Sequence, residues 1–130
     1  MSIEHVAVWV RNLEQMRSFY ETYFGATAND KYSNVHKGFS SYFLSFPDGG
    51  PRLEIMQMPG ILENQGEAVS QWMGFTHIAL SVGSEATVDQ LTERLRSDGF
   101  TIVDGPRRTG DGYYESVALD PERNRVEITV

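Results

Sequence analysis

"RVEIT", residues 125–129, nearly duplicates "RLEIM", residues 52–56, and each sets one carboxylate, Glu127 or Glu54, between two branched apolar residues. Along an extended strand, successive side chains alternate between faces. Val126 and Ile128 therefore share one face, with Arg125, Glu127 and Thr129 on the other; Leu53 and Ile55 oppose Arg52, Glu54 and Met56 in the same way. The duplication continues outward. An offset of 73 residues lays "FPDGGPRLEI" (46–55) on "LDPERNRVEI" (119–128), and an offset of 72 lays "IEHVAVWV" (3–10) on "FTHIALSV" (75–82), which matches His5 to His77. The histidine-to-glutamate spacing is 49 in the first half and 50 in the second. Self-similarity over half a chain marks two copies of one supersecondary unit.

The elements within each copy follow the same order. "IEHVAVWV" alternates, with Val6, Val8 and Val10 on one face and His5, Ala7 and Trp9 on the other, and its β-branched content favours a strand. Asn12 is a helix N-cap with Gln15 three residues on, and Leu13, Met16, Phe19, Tyr20, Tyr23 and Phe24 form an apolar stripe that stops at Gly25. In the second copy Ser84 is the cap, Val88, Leu91 and Leu95 the stripe, and Asp98-Gly99 the stop. Strands are expected near 26–30, 38–47 and 52–58, and again near 100–103, 113–120 and 124–130. "PDGG" (47–50) and "DPERN" (120–124) supply turn chemistry before the last strand of each copy. The fold class is thus α+β, two βαβββ repeats forming a cupped mixed sheet with helices on its outer face. A single domain spans 1–130, with repeat one at about 1–58, a connector at about 59–74 carrying a short helix at 65–73, and repeat two at about 75–130.

Composition narrows the function. A chain of 130 residues with 40% hydrophobic and 22% charged residues can build its own core, burying roughly two-thirds of its unfolded surface without a metal or disulfide to hold it. It has no cysteine, which excludes disulfides and thiolate metal sites and fits a reducing compartment. A net charge of -7 argues against nucleic-acid binding through a broad basic surface. No apolar run is long enough for a membrane helix, and "MSIEHVAVWV" lacks the pattern of a signal peptide, so a cytoplasmic location is expected.

If the apolar strand faces lie against the helices, the opposite faces present His5, Glu54, His77 and Glu127 to whatever the sheet encloses. A single His or Glu in a strand is ordinarily a surface residue or half of a weak cross-strand pair. Recurrence of both types at matching places in two repeats points instead to a divalent-metal set of two imidazoles and two carboxylates, suited to Zn, Ni, Co, Mn or Fe. Without a cation the two carboxylates would repel each other in one cavity.

With His5 and "GFTHIALSV" opening the halves and "RLEIM" and "RVEIT" closing them, the chain resembles the vicinal oxygen chelate superfamily over nearly its whole length. That group includes glyoxalase I, fosfomycin-resistance transferases, extradiol dioxygenases, methylmalonyl-CoA epimerase and bleomycin-resistance proteins. The His, Glu, His, Glu set is most like that of glyoxalase I, or lactoylglutathione lyase. The resemblance implies a homodimer and a metal-dependent lyase or isomerase acting on a small substrate with two neighbouring oxygens, through proton abstraction and a metal-stabilised enediolate. Glu127 is taken as the base, with Glu54 second, although the two are pseudo-equivalent.

The chain also departs from glyoxalase I. Trp9 stands where the bacterial enzymes carry a glutathione-holding arginine, and Met58 where they carry an asparagine, so this substrate wall is apolar. Arg107 and Arg108 in "GPRRTGDGYY" are candidates for an anionic substrate, set against an ordinary solvated loop, and Gly110 and Gly112 would let that loop close over a ligand. Of Tyr113 and Tyr114 only one should face the cup, and Tyr113 is kept as a substrate contact. His36 has no repeat partner and reads as a loop residue; Met56 and Phe43 read as packing or pocket wall. The alternatives are another enzyme of the superfamily (epimerase, thiol transferase or dioxygenase) or a non-enzymatic drug-binding resistance protein. Glu54 argues against the enzymes, which place Gln there or use only three ligands, and the recurring His–Glu pairs argue against the binding protein.

Overall fold

A computed structural model of the protein describes residues 1–63, 66–67 and 70–130. Among these residues the chain forms β1 (His5–Trp9), α1 (Leu13–Phe24), β2 (Thr27–Ala28), β3 (Tyr32–Asn34), β4 (Phe39–Ser45), β5 (Arg52–Gln57), β6 (His77–Ser81), α2 (Glu85–Ser97), β7 (Ile102–Arg108), β8 (Tyr114–Leu119) and β9 (Arg125–Thr129). It divides into two compact units, Met1–Asn64 and Gln65–Val130, and the division falls inside the connector read from the sequence. Each unit is one βαβββ-type repeat with its own mixed sheet.

In the first unit the strand order is β1-β5-β4-β2, with β3 also paired to β4. β1 runs parallel to β5 and the other pairs are antiparallel. Asn12 caps α1 by accepting a hydrogen bond from the Gln15 N–H at 3.0 Å, and Gly25 ends it at φ 64°, a left-handed conformation that costs glycine little. The stripe buries Leu13, Met16, Phe19 and Tyr20 against β4 and β5, where Leu44, Leu53 and Ile55 receive it. Tyr23 and Phe24 are only half-buried and finish the stripe as rings packed on Phe19.

The second unit repeats the plan with order β6-β9-β8-β7. Ser84 caps α2 through the Thr87 N–H at 3.1 Å. Val88, Leu91 and Leu95 pack down on Ala118, Val126 and Ile128. Buried Thr92 joins them because its hydroxyl is satisfied twice, by the Val88 carbonyl and by the Ser116 hydroxyl, each at 2.6 Å. Asp120 closes the β8–β9 turn, its carboxylate accepting from the Glu122 and Asn124 N–H groups at 2.9 Å. A turn held this firmly sets the strand register.

Three expectations change. β7 runs to Arg108 rather than ending near 103, so Arg107 and Arg108 lie on a strand and not in a loop; register shifts on either side of Asp104 let the strand pass Gly105 and Pro106. β3 is an added short strand on β4. Val6 is exposed although its face was expected to be apolar and covered, because β1 lies at the edge of its sheet. The helix expected at 65–73 falls partly outside the described residues; of its span, 66, 67 and 70–73 carry no helix.

Candidate functional site

Strand register builds the same arrangement in both units. In the first, His5 pairs with Arg52 and Ala7 with Glu54, so Glu54 sits one pleat along from His5 on a shared face. His5 Nε2 lies 3.7 Å from Glu54 Oε2. In the second, His77 pairs with Arg125 and Ala79 with Glu127, and Nε2 of His77 lies 3.2 Å from Oε2 of Glu127. Both glutamates have alanine opposite them on the parallel neighbour strand. The environments match as well: the histidine side chains are 38% and 39% exposed, the glutamates 14% and 17%.

The far ring nitrogens are also engaged. His5 Nδ1 meets the Glu4 carboxylate, which in turn accepts a hydrogen bond from Arg52. Hydrogen bonding with His5 first, and Arg52 next, holds the Glu4 carboxyl below the usual carboxylate range. His77 Nδ1 lies 3.0 Å from the Thr76 hydroxyl. Such contacts orient a ligating imidazole and fix its tautomer. Phe43 adds an edge-on packing against the His5 ring at 5.3 Å.

Nitrogen and oxygen ligands about 2.0–2.2 Å from one divalent ion, at angles between square and tetrahedral, stand about 3.0–3.5 Å apart. The His77–Glu127 pair lies within that range, and the His5–Glu54 pair exceeds it by an amount that a small side-chain rotation removes. Each pair therefore suits a divalent cation in donor chemistry and spacing. The structure brings His5 to Glu54 and His77 to Glu127; among the described residues no group of three or more His, Asp or Glu that could hold a metal ion is formed.

Beside the second pair lies a residue not singled out in the sequence. Glu115 is in register with Thr129 and Arg107 on the face that carries Glu127, with 13% of its side chain exposed and its carboxylate 3.5 Å from the Arg107 guanidinium. Burial, reinforced by the charge of Glu127, holds the Glu115 carboxyl above the usual range. Its signal was present, a carboxylate inside the strand-like run "YYESVAL" (113–119), the same feature that marked Glu54 and Glu127.

The substrate-contact candidates separate. Trp9 shares the His5 face of β1 and is 41% exposed. Met58 lies just past the end of β5 and is half-buried. Arg107 is paired to Asp104 at 2.7 Å as well as to Glu115, and Asp104 above all holds its guanidinium even more firmly protonated than usual. Arg108 turns to the helix side, where it binds Glu85 of α2 and the Gly112 carbonyl and lies over the Tyr114 ring. Tyr114 donates to Asp89 of α2 at 2.7 Å, while Tyr113 is 56% exposed. The span 109–113, with Gly110 and Gly112, is a hairpin turn closed by Thr109–Tyr113 backbone and side-chain bonds. His36 sits exposed in the turn between β3 and β4.

Residues 2–128 match the family model of the Glyoxalase/Bleomycin resistance protein/Dioxygenase superfamily. The uncharacterized protein YqjT of Bacillus subtilis (strain 168) is 27% identical over 130 residues, covering 97% of this chain and 96% of its own. Among solved structures, a glyoxylase/bleomycin resistance protein/dioxygenase domain from Frankia sp. EAN1pec superposes with a TM-score of 0.81 at 18% identity, covering 100% of this chain and 97% of that one. The trypanothione-dependent glyoxalase I of Leishmania major superposes with a TM-score of 0.76 at 19% identity over 99% of this chain and 86% of that one.

Proposed function

Because the chain belongs to the Glyoxalase/Bleomycin resistance protein/Dioxygenase superfamily, we propose that it is a metal-dependent, glyoxalase-like lyase or isomerase acting on a small substrate with two neighbouring oxygens. The observation that carries this is the duplicated His–Glu pair, 3.7 Å apart in one unit and 3.2 Å in the other, on matching strands with matching exposure. His5 with Glu54, and His77 with Glu127, are the donors that would hold a divalent ion. A bound divalent cation supplies Lewis-acid polarisation of the two substrate oxygens. Glu127 takes the proton from the carbon beside those oxygens and returns it to the neighbouring carbon, with Glu54 second in that role. Arg107, on the Glu127 face and braced by Asp104 and Glu115, keeps a positive charge beside the proton-handling carboxylate. A homodimer belongs to the same reading, supported by the family resemblance, and a cytoplasmic location is proposed from a cysteine-free composition that fits a reducing compartment; among the described residues no helix is long and apolar enough to cross a membrane.

Metal analysis is the direct test. The purified protein should take up a divalent ion from a panel of Zn, Ni, Co, Mn and Fe, and His5→Ala or His77→Ala should lose it. Metal-loaded protein should then turn over methylglyoxal in the presence of a thiol. Uptake of no ion would favour the drug-binding alternative, and metal uptake without turnover with any thiol would favour another enzyme of the superfamily.

A further inference from the structure

The face of the first sheet beyond the His5–Glu54 pair carries a group of rings. Register places Ala7, Glu54 and Phe43 in one row across β1, β5 and β4, and Trp9, Met56 and Ser41 in the next, with Tyr32 of β3 continuing that second row. Phe39, two residues before Ser41 on the same face of β4, stands edge-on to Trp9 at 6.1 Å and packs against Tyr32 at 6.0 Å. Small, buried Ser41 forms the floor between the rings. Trp9 and Tyr32 remain 41% and 56% exposed, so the rings contact each other at their edges and leave apolar area uncovered.

Charge is absent from this second row, and two of the cations near it are committed elsewhere. Arg52 is bound to Glu4 and stacked on Phe43 at 4.2 Å, and Lys31 reaches Glu14 on α1. A charged peptide thiol would find no counter-ion within the row itself. A flat apolar ring would find three partners, and aromatic contacts favour offset and edge-on packing beyond their burial of area. Rows two residues apart along a strand are about 7 Å apart, so the second row begins directly beyond the row that carries Glu54.

We infer that the substrate carries an aryl ring next to its two neighbouring oxygens, and that Trp9, Phe39 and Tyr32 receive that ring; this rests on the metal-dependent reading of the His–Glu pairs. The continuity of the wall with the site, through Phe43 packed on His5 in the adjoining row, separates it from an isolated apolar patch.

Benzohydroxamate and acetohydroxamate test the assignment, because both offer two neighbouring oxygens to a cation and differ in a ring against a methyl. In calorimetric titration of the metal-loaded full chain, benzohydroxamate should bind about tenfold tighter or more. Trp9→Ala and Phe39→Ala should bring the two affinities together by weakening benzohydroxamate alone. Tyr32→Ala, at the exposed start of the short β3, gives the same reading if Trp9→Ala or Phe39→Ala fails to fold. In nitrogen-edited NMR spectra the ring compound, and not the methyl one, should shift the indole N–H signal of Trp9, identified with a Trp72→Phe variant. Equal affinities in native protein would overturn the ring assignment and leave the metal reading standing. A native preference that survives all three substitutions would also overturn it. So would dissociation of a dimer by Trp9→Ala with the preference intact, since a second copy would then cover the wall. Failure to take up metal or bind either hydroxamate would overturn both readings.

Discussion

Glu4 shows how much a neighbour can matter at the scale of one residue. It lies outside the paired donors, yet it is bonded to the far nitrogen of His5 and held ionised by that imidazole and by Arg52. Outer partners of this kind typically change metal affinity by about 10–100-fold. Glu4→Gln is therefore expected to weaken divalent-cation binding by about that factor in competition with a chromophoric chelator, and an affinity unchanged from native would detach Glu4 from the site. Glu14 supports a different prediction. Its carboxylate accepts from Lys31 at 3.1 Å and from the buried Tyr42 hydroxyl at 3.0 Å, and the Lys31 contact is the larger cause of its lowered pKa. A carboxyl lowered in the folded state contributes stability that is complete above its unfolded value and is lost as the pH falls through the folded one. Native protein should thus be more stable than Glu14→Gln at neutral pH in denaturant titrations, with the gap closing below the ordinary carboxylate range. Added salt should narrow it too, because Glu14 is half-exposed.

At the scale of the element, local chemistry was readable where it depends on neighbours in sequence. Asn12, Ser84 and Gly25 cap the helices as their residue types demand. β7 was not readable to its end, since Gly105-Pro106 ordinarily breaks a strand and only pairing with β8 carries it onward. Gly105 shows what that pairing requires. Its φ is +79°, and a Cβ there would lie 2.6 Å from the Glu115 carbonyl oxygen and 2.9 Å from the Ser116 Cα. Gly105→Ala should destabilise the protein by about 1–3 kcal/mol in thermal or chemical unfolding and loosen Arg107 from Glu115. Gly99→Ala, also at positive φ (+91°) but with nothing within 4 Å of its added methyl, should cost less. Equal costs would remove the close approach of β8 as the reason.

Across the whole molecule, duplication makes equivalent positions comparable. Ile55 and Ile128 occupy matching places on β5 and β9, and both are fully buried under their helices. Ile55→Ala and Ile128→Ala should each cost about 2–5 kcal/mol, and a cost well below this in either would mean that its half repacks around the loss. A cation bound to the folded chain alone should raise its stability by about 2.7 kcal/mol at a free concentration one hundred times its dissociation constant. The melting temperature should therefore climb with added metal in native protein and stay flat in His77→Ala.

From the sequence alone came the repeat, the βαβββ order common to both halves, the helix caps and the two His–Glu pairs, because alternation, capping and duplication are written in residues near one another or at a fixed offset. Tertiary structure decided what lies across the strands. Pairing of β8 with β7 and β9 put Glu115 and Arg107 beside Glu127, and pairing of β3 and β4 with their neighbours put Tyr32 and Phe39 beside Trp9. Those neighbours are joined by backbone hydrogen bonds between distant segments, and strand register, which no single stretch of sequence contains, chooses which side chains share a face.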